Sequence, residues 1–450
     1  MRKNESYDLD ITGLTHEGMG VGRINGMAVF VQGAIEGETV RVKIIKTHKN
    51  YAFARAEEWL KESHWRQEAF CPVFERCGGC NLQHISYDRQ LEFKRQVVAD
   101  SFARIGGISG ITINPVIGMN HPFHYRNKAQ YPVGVGDNGA VAGFYARQSH
   151  DIIKSPDCYI QNRASWTVVN SIIRQIENTW ISVYDEKTGT GILRHIITRI
   201  SRLNGDIMVV LVAADEKIPH LYELIKQVTN EVPSIKSIAL NVNKGRNSVA
   251  PGGKVKIVFG DSTITDKIGD IKFQISPLSF YQVNPEQTSV LYEKAVEYAG
   301  LTGNETVFDL YCGIGTISLF LAKKAEKVIG VEVVQGAMQD AEKNARLNGI
   351  TNAVFYQGRA EEVVPKLYGE GIKADVVVVD PPRKGCDQIL LETLIQMQPK
   401  RIVYISCNPS TLARDLKYLY GNGYKANQVQ PVDMFPWTGH VEAIILLQRL

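Results

Sequence analysis

The sequence predicts an α/β protein in three parts: a small all-β unit at residues 1–62, a central α+β region at 63–275 and a doubly wound α/β domain at 276–450. The first part is predicted from "MAVFVQGAIEGETVRVKII", where apolar and polar residues alternate between glycine-containing turns. The last part is predicted from the regular exchange of strand-like and helical segments after about residue 300, in which the run Val376–Val379 is typical of a central parallel strand. Part of segment 88–120 is expected to pack with this last domain.

The composition is that of a globular protein: the 450 residues are 44% hydrophobic and 22% charged. No apolar run reaches the roughly 18–20 residues that cross a bilayer, and the start "MRKNESYDLD" has no apolar segment of a signal peptide. We therefore expect a cytoplasmic protein without a membrane partner. The net charge is only +4, so local clusters of charge carry more information than the total.

Two segments combine cations with aromatic residues, a pattern that suits a nucleic-acid surface. One is "RVKIIKTHKNYAFAR", which contains no acidic residue, and the other is "HPFHYRNKAQYPVGVGDNGAVAGFYARQSHDIIKSPDCYI". A strand edge guarded by solvated lysines, or an ordinary β meander, remains the alternative interpretation. The candidate RNA-binding residues are Arg41, Lys43 and Lys46 in the first segment and Arg126, Lys128 and Arg147 in the second.

Three of the seven cysteines lie within ten residues, in "CPVFERCGGCNLQ". In a cytoplasmic protein such a cluster binds metal or performs chemistry more often than it forms disulfides. Cys71, Cys77 and Cys80 offer three thiolates, whereas an iron–sulfur cluster or a structural zinc ion normally takes four ligands.

The first β-α turn of the last domain, "FDLYCGIGTISLFLA", predicts a cofactor site. Asp309 ends a strand, and Gly313 and Gly315 allow a tight turn close to a ligand before a helix begins. Glu332 ends the next strand, where an acid can accept hydrogen bonds from ribose hydroxyls. The combination indicates a cofactor that contains adenosine.

Three later motifs carry reactive side chains. "VVVVDPPRKGC" places Asp380 at the carboxyl edge of the sheet, where ligands bind in such folds. "YISCNPSTLARDL" places Cys407 at a strand tip before a helix, which predicts a thiol with a lowered pKa, although a buried structural cysteine is the alternative. "PWTGHVEAI" places Glu442 at the start of the last strand, where apolar surroundings would raise its pKa as a general base requires; an exposed strand-end glutamate is the alternative there.

The motifs "DLYCGIGT", "DPPRKG", "SCNPSTLARDL" and "GHVEAI", in this order, resemble those of the uracil-5 RNA methyltransferases that use S-adenosylmethionine. The segment "CPVFERCGGCNLQHISYDRQLEFK" resembles the cluster-bearing members that modify 23S ribosomal RNA, and the N-terminal unit resembles a TRAM RNA-binding domain. The resemblance covers nearly the whole chain. It implies a Rossmann-like methyltransferase domain behind a small TRAM or OB-like β-barrel and a central α+β domain.

The resemblance also assigns roles to residues. Cys407 matches the nucleophile that adds to C6 of uracil, and Glu442 matches the base that removes the C5 proton from a flipped-out uridine. Thr316 and Arg359 stand where some members have asparagine. The implied cofactor contacts are Gln282, Tyr311, Gly313, Gly315, Thr316, Glu332 and Asp380.

By the same resemblance Cys158 in "SPDCYI" is the fourth ligand of a cluster, of the [4Fe–4S] type, with Cys71, Cys77 and Cys80; a four-cysteine zinc site stays open. Cys312 is expected to be a packing residue, and Cys386 has no assigned role. The expected partner is 23S ribosomal RNA, and the chain is expected to act as a monomer.

Three other functions are weighed against this one. A transfer-RNA uridine methyltransferase would generally lack the N-terminal unit and the cysteines. An enzyme that methylates base amino groups is disfavoured by Arg383 and Cys407. A non-catalytic iron–sulfur RNA-binding protein would leave Cys407 and Glu442 unexplained.

Overall fold

A computed structural model describes residues 1–137, 139–155, 157–245 and 253–450. The N-terminal part is a six-stranded barrel whose strands β1–β6 span Ser6–Asp10, Gly13–Leu14, Gly20–Ile24, Met27–Gln32, Thr39–Thr47 and Tyr51–Lys61. The strand order is β1-β5-β6-β4-β3-β2. Only two residues separate β1 from β2, yet these strands lie at opposite ends of that order, so the sheet closes on itself. Alternate apolar side chains such as Val29, Val31, Val40 and Val42 fill the interior. The predicted small β-barrel is confirmed.

After the cysteine segment, helix α1 spans Tyr87–Ser101 and continues as a π-helical turn at Phe102–Gly106. It ends at Gly107, whose φ of +61° lies in the left-handed region that favours glycine after a helix. The short strand β7 at Thr112–Ile113 follows and joins the sheet of the last domain. Val98 and Phe102 also belong to that domain's core. Segment 87–113 therefore packs with the C-terminal domain.

The central region contains strands β8–β17 and helices α2 and α3. Strands β15-β14-β13-β12-β8-β9 form one sheet in this order, and β10–β11 and β16–β17 are separate hairpins. Helices α2 and α3 cover one face of the sheet. On the other face Ile197, Met208 and Val210 pack into a core shared with β16–β17 and the C-terminal domain. The strands are Lys128–Gly136, Gly139–Ala142, Phe144–Tyr145, Ile152–Ile153, Leu193–Ile200, Ile207–Ala213, Ile235–Val242, Val255–Gly260, Ile264–Ile268 and Ile271–Ile275, and the helices are Arg163–Thr179 and Leu221–Glu231.

The C-terminal domain is a nine-stranded sheet between helices. One of the nine strands is β7, and the other eight, β18–β25, are Thr306–Leu310, Lys327–Glu332, Ala353–Gln357, Val376–Val379, Arg401–Ser406, Tyr424–Lys425, Gln428–Val432 and Glu442–Arg449. Helices α4–α9 are Pro285–Ala299, Thr316–Ala322, Gln335–Leu347, Ala360–Gly369, Gln388–Met397 and Pro409–Gly421. Strands β20-β19-β18-β21-β22 run parallel, and β25 then pairs antiparallel with β22.

The predicted fold class is thus confirmed, including the fully buried central strand β21. The boundaries at 62 and 275 stay predictions. Among the described residues, no helix combines the length and the apolar character that a membrane span requires.

Candidate active site

The turn between β18 and α5 forms one wall of the site. Tyr311, Gly313 and Gly315 all have positive φ angles, of +67°, +57° and +79°. At Gly315 a side chain would also press on Ala341, since an added Cβ would lie 3.1 Å from the Ala341 Cβ. Both glycines are therefore needed for the tight turn.

Glu332, at the end of β19, is tied to this turn. Its carboxylate accepts hydrogen bonds from the backbone N–H of Gly313 at 3.0 Å and of Val334 at 2.8 Å. Thr316 begins α5, and its hydroxyl shares a hydrogen bond of 3.0 Å with that of Tyr292 in α4. The predicted cofactor contacts Gly313 and Thr316, after β18, and Glu332, at the end of β19, therefore lie at the same edge of the sheet.

Asp380 follows β21 at the same edge. Burial raises the pKa of its carboxyl to about 7, and among the described residues its side chain accepts no hydrogen bond. A half-buried carboxyl without a hydrogen-bond partner suits a ligand that carries hydrogen-bond donors.

Gln282 and Arg359 lie on other segments. Gln282 is 8% exposed in the segment before α4, where its carbonyl accepts a hydrogen bond of 3.1 Å from the Asn127 side chain. Arg359 precedes α7, and its guanidinium donates to Glu361 at 2.6 and 2.9 Å. The Arg359 side chain is therefore already occupied within the protein.

Cys407 and Glu442 come together at the ends of neighbouring strands. The antiparallel register of β22 and β25 ends at the pair Ser406 and Ala443, so Cys407 directly follows β22 and Glu442 begins β25 beside it. The Glu442 carboxyl acts electrostatically on the Cys407 thiol. A thiol and a carboxylate therefore face each other at the edge that holds the glycine turn and Asp380.

Burial controls the charge of Glu442, which is 5% exposed. Burial first, and then the neighbouring Asp380, raises the pKa of Glu442 to about 8, against a lowering effect of Arg383. The predicted rise of this pKa is confirmed.

The predicted lowering of the Cys407 pKa is wrong. Burial, Glu442 and Asp380 raise the pKa of the Cys407 thiol to about 11, although Arg383 lowers it. Asn408 caps helix α9 by accepting a hydrogen bond from Ser410 N–H at 3.1 Å. Two carboxyl groups and burial therefore outweigh the helix N-terminus.

Arg383 is the charged residue that the sequence interpretation did not place at the site. Its carbonyl accepts hydrogen bonds from the Asn408 amide at 3.1 Å and the Thr411 hydroxyl at 3.2 Å, which hold the "DPPRKG" loop against the Cys407 loop. The arginine in that motif was the available signal.

The loop at residues 433–441, which leads into Glu442, is held by a buried ion pair. The Lys94 ammonium of α1 lies 2.6 Å from Asp433, and both side chains are fully buried. Lys94 also donates to the Phe435 carbonyl at 3.1 Å, and the Tyr87 hydroxyl donates to Asp433 at 2.9 Å. No periodicity or motif in the sequence marks this connection.

The same loop is joined to the barrel and to the cysteine segment. The Asn81 side chain donates to the Glu17 carbonyl in a barrel turn and accepts from Gly439 N–H at 3.0 Å. Gly439 must be glycine, because an added Cβ would lie 2.2 Å from the His16 carbonyl oxygen. Parts from the barrel, the cysteine segment and the C-terminal domain therefore meet beside Glu442.

Four cysteines converge on one cavity. Cys71, Cys77, Cys80 and Cys158 all line a cavity of ≈ 260 Å³, and all four are free thiols. Arg147 organises the adjacent segment by donating to the carbonyls of Phe74, Cys77 and Cys80 at 2.8–3.1 Å. In the described part of the chain, no three His, Cys, Asp or Glu side chains are grouped closely enough to hold one metal ion.

The basic residues of the barrel are partly neutralised by acids on other strands. Arg41 lies 2.8 Å from Asp8 and 2.9 Å from Glu58, and Lys43 lies 3.9 Å from Glu57. Lys46 is exposed. The segment that lacks acids in the sequence is therefore paired in the fold with acids from other strands. Arg147 likewise uses its guanidinium for hydrogen bonds to backbone carbonyls of the protein.

Two family models and several known proteins match this chain. A family model described as tRNA (Uracil-5-)-methyltransferase matches residues 86–450, and a TRAM domain model matches residues 2–56. The chain is 51% identical to a protein named uncharacterized RNA methyltransferase from Bacillus cereus (strain ATCC 10987), covering 100% of this chain and 98% of the relative. A protein of the same description from Listeria innocua is 50% identical, with coverages of 99% and 98%.

Among solved structures, the chain resembles the Pyrococcus abyssi tRNA (uracil-54, C5)-methyltransferase in complex with S-adenosyl-L-homocysteine. The TM-score is 0.78 and the identity 29%, over 98% of this chain and 100% of that one. The family and this complex support S-adenosylmethionine as the cofactor. The chain therefore belongs to the tRNA (uracil-5-)-methyltransferase family and carries a TRAM domain at its N-terminal end.

Proposed function

We propose that the protein transfers a methyl group from S-adenosylmethionine to C5 of a uridine in 23S ribosomal RNA and forms 5-methyluridine. The observation that carries this proposal is the proximity of Cys407, which follows β22, and Glu442, which begins β25, at the edge that also holds the glycine turn. A thiol and a buried carboxyl side by side are the two groups that C5 methylation requires.

The residues at the sheet edge fit S-adenosylmethionine. Glu332 is held by Gly313 in a position to receive ribose hydroxyls, and the unpartnered carboxyl of Asp380 would accept donors from the cofactor. Tyr311, Gly315, Thr316 and Gln282 complete the proposed binding set. The bound cofactor supplies the methyl group.

The proposed reaction begins at uracil C6. The Cys407 side chain reacts as its thiolate, after its proton has passed to solvent. The thiolate sulfur bonds to C6, and the C5–C6 π electrons move onto O4 as an enolate, which makes C5 nucleophilic. After C5 has gained the methyl group, Glu442 takes the C5 proton. The electrons of that C–H bond restore the C5–C6 double bond, and the sulfur–C6 bond breaks with release of the thiolate.

The activity is expected to rise with pH through about 8 and to continue rising above it, because the reaction needs both deprotonated Glu442 and the Cys407 thiolate, whose pKa is raised to about 11. Only the deprotonated form of Glu442 can accept the C5 proton, and its pKa is raised to about 8, so a larger fraction becomes active as the pH rises past that value. Arg383→Gln should shift the rise of kcat/KM to higher pH, because Arg383 lowers the pKa of both Glu442 and Cys407. The neighbouring Lys384→Gln serves as the matched control and should leave the profile in place. A flat wild-type profile between about pH 6 and 9 would contradict the assignment of the base.

Methylation of a transfer RNA is the second candidate, and a specific observation favours it. The Pyrococcus abyssi enzyme, named for uracil 54 of tRNA, matches 98% of this chain. The N-terminal unit and the central region therefore do not by themselves separate the two substrates. The likeness of the cysteine segment to cluster-bearing 23S enzymes supports ribosomal RNA as the substrate. We further propose that the enzyme acts as a monomer in the cytoplasm.

The test offers both RNAs to the purified protein with S-adenosylmethionine. Unmodified 23S ribosomal RNA and unmodified transfer RNAs are incubated separately, digested and mapped for 5-methyluridine by mass spectrometry. The proposal expects the modified nucleoside in 23S RNA alone. Modification of transfer RNA alone would establish the second candidate instead.

We further propose an iron–sulfur cluster, of the [4Fe–4S] type, at Cys71, Cys77, Cys80 and Cys158. The support is the cavity of ≈ 260 Å³ that the four thiols share. In such a cluster each thiolate binds a different iron, so the sulfurs stand farther apart than around one zinc ion. Because methyl transfer moves no net electrons, the cluster is proposed to position the RNA-binding segment and not to act in redox catalysis.

Protein purified without oxygen is expected to be brown and to contain both iron and acid-labile sulfide. Cys158→Ser should lose most of both, because one of four ligands is gone and Cys158 alone comes from a distant segment. Cys386→Ser is the matched control and should keep them, since Cys386 lies outside this cavity. Stoichiometric zinc without sulfide would instead identify a zinc site.

A further inference from the structure

Two cations oppose each other on neighbouring strands of the central sheet. Lys128 on β8 and Arg199 on β12 are direct partners in the antiparallel register. Ile197, two residues before Arg199, belongs to the core shared with the C-terminal domain. Since side chains alternate between faces, Lys128 and Arg199 lie on the face turned toward that domain. Like charges in opposed positions destabilise a sheet unless something compensates them.

No carboxylate in the described part of the chain forms an ion pair with either cation, although Asp266 acts electrostatically on Arg199 and the Arg199 guanidinium lies over the Tyr281 ring at 5.8 Å. Neither Lys128, nor Arg199, nor the adjacent Arg126 lies within ion-pair distance of a described carboxylate. The Arg199 Nη1 and the Arg126 Nε are buried without a hydrogen-bond partner. Burial and the two arginines lower the pKa of Lys128 to about 8. Unsatisfied buried donors of this kind are costly, and an anion would satisfy them.

The cation pair adjoins the segment that leads to Gln282. Arg199 donates to the Ser279 carbonyl at 2.9 Å, and Asn127, next to Lys128, donates to the Gln282 carbonyl at 3.1 Å. Phe280 lies between these two contacts and is 69% exposed. Cations next to an exposed aromatic side chain are the combination that binds single-stranded nucleic acid.

We propose that Lys128 and Arg199, with Arg126 beside them, bind a backbone phosphate of the RNA strand that carries the target uridine. This inference rests on one part of the proposed function, namely that the substrate is RNA. A phosphate offers several acceptor oxygens to the unpaired donors, and its charge removes the repulsion between the opposed cations. A phosphate held next to Gln282 would fix the strand near the cofactor site while the uridine is flipped out.

Lys128 is the better position for a test, because Arg199 is buried and supports Ser279 through a hydrogen bond. Lys128→Gln removes the charge, and Lys128→Arg keeps it. Lys226→Gln is the matched control, since Lys226 is exposed on α3, which covers the opposite face of the same sheet. The probe is a fluorescent oligouridylate of about 15 nucleotides, near the upper end of what an OB-like fold covers.

The affinity of the probe is measured at several salt concentrations between about 50 and 200 mM. Loss of one phosphate contact should lower the slope of log affinity against log salt by about 0.7, the value for single strands. Lys128→Gln should show this loss, whereas Lys128→Arg and Lys226→Gln should keep the wild-type slope. The affinity for S-adenosyl-L-homocysteine, measured by calorimetry, should be the same in all four proteins.

Two results would overturn the inference. An unchanged salt slope in Lys128→Gln would mean that no phosphate binds there. A loss of S-adenosyl-L-homocysteine affinity with an intact slope would assign the cations to the cofactor's carboxylate. Product analysis is separate: wild-type protein that binds RNA through Lys128 but makes no 5-methyluridine would refute the proposed function and leave this inference standing.

Discussion

Replacing Cys407 by alanine is expected to abolish methylation of RNA and to leave the affinity for S-adenosylmethionine nearly unchanged. In the proposed mechanism Cys407 supplies the sulfur that activates C5. Cys312 also lies at this edge of the sheet, but it is only 5% exposed, and burial raises the pKa of its thiol well above the usual value. Loss of a covalent nucleophile typically reduces kcat by about 10⁴-fold or more. The proposed cofactor contacts lie before α4, after β18, at the start of α5, at the end of β19 and after β21, and none is on the Cys407 loop. Calorimetric titration with S-adenosyl-L-homocysteine should therefore give the wild-type affinity.

Cys386→Ala is the matched control for this experiment, because it removes a cysteine of the same domain. The hydrogen bond that the Cys386 backbone N–H donates to the Asp415 carboxylate is kept in this variant. It should retain activity. Turnover of Cys407→Ala at the wild-type rate would refute the covalent mechanism, and loss of activity in both variants would point to a fault in folding that circular dichroism would reveal.

Glu442→Gln is expected to trap a covalent adduct between the protein and its RNA. The amide cannot accept the C5 proton, so the reaction should stop after methyl transfer, when the sulfur is still bonded to C6. The fold should tolerate the change, since glutamine has nearly the same shape and burial already favours the neutral form of Glu442 by raising its pKa to about 8. A denaturing gel with labelled RNA should show a retarded band.

The double variant with Cys407→Ala and Glu442→Gln gives the decisive control, because it has no sulfur to form the adduct and the retarded band should disappear. Normal turnover by Glu442→Gln alone would show that another group removes the proton. Asp380 would then be the nearest carboxyl to examine, since it interacts electrostatically with both Cys407 and Glu442.

Much of the candidate site was predictable because its residues lie at strand ends. Parallel strands bring their carboxyl ends to one edge, so Gly313, Glu332, Asp380 and Cys407 could be placed together from the order of strands and helices alone. Glu442 followed from the resemblance, and the register of β22 and β25 then supplied the physical reason for its position next to Cys407.

Other features depended on contacts between distant segments, for which no local pattern exists. The lowered pKa expected for Cys407 failed because two carboxyl groups from other strands act on it. The strand around Arg41 lacks acids in the sequence, yet Asp8 and Glu58 pair with it across the barrel. Arg199 gave no signal at all, because a cation in a largely apolar strand such as β12, which also contains Arg194, is ordinary until its partner strand is known.

The buried pair of Lys94 and Asp433 has a consequence for synthesis on the ribosome. The two residues are 339 positions apart, so Lys94 leaves the ribosome long before its partner exists. At about 5–20 residues per second, the delay is roughly 17–70 s. A lone ammonium in an apolar site is strongly unfavourable, so α1 has no stable docking place during this interval. The loop beside Glu442 is completed only when β25 has been made, so the proposed base has no fixed position in a nascent chain that lacks this strand.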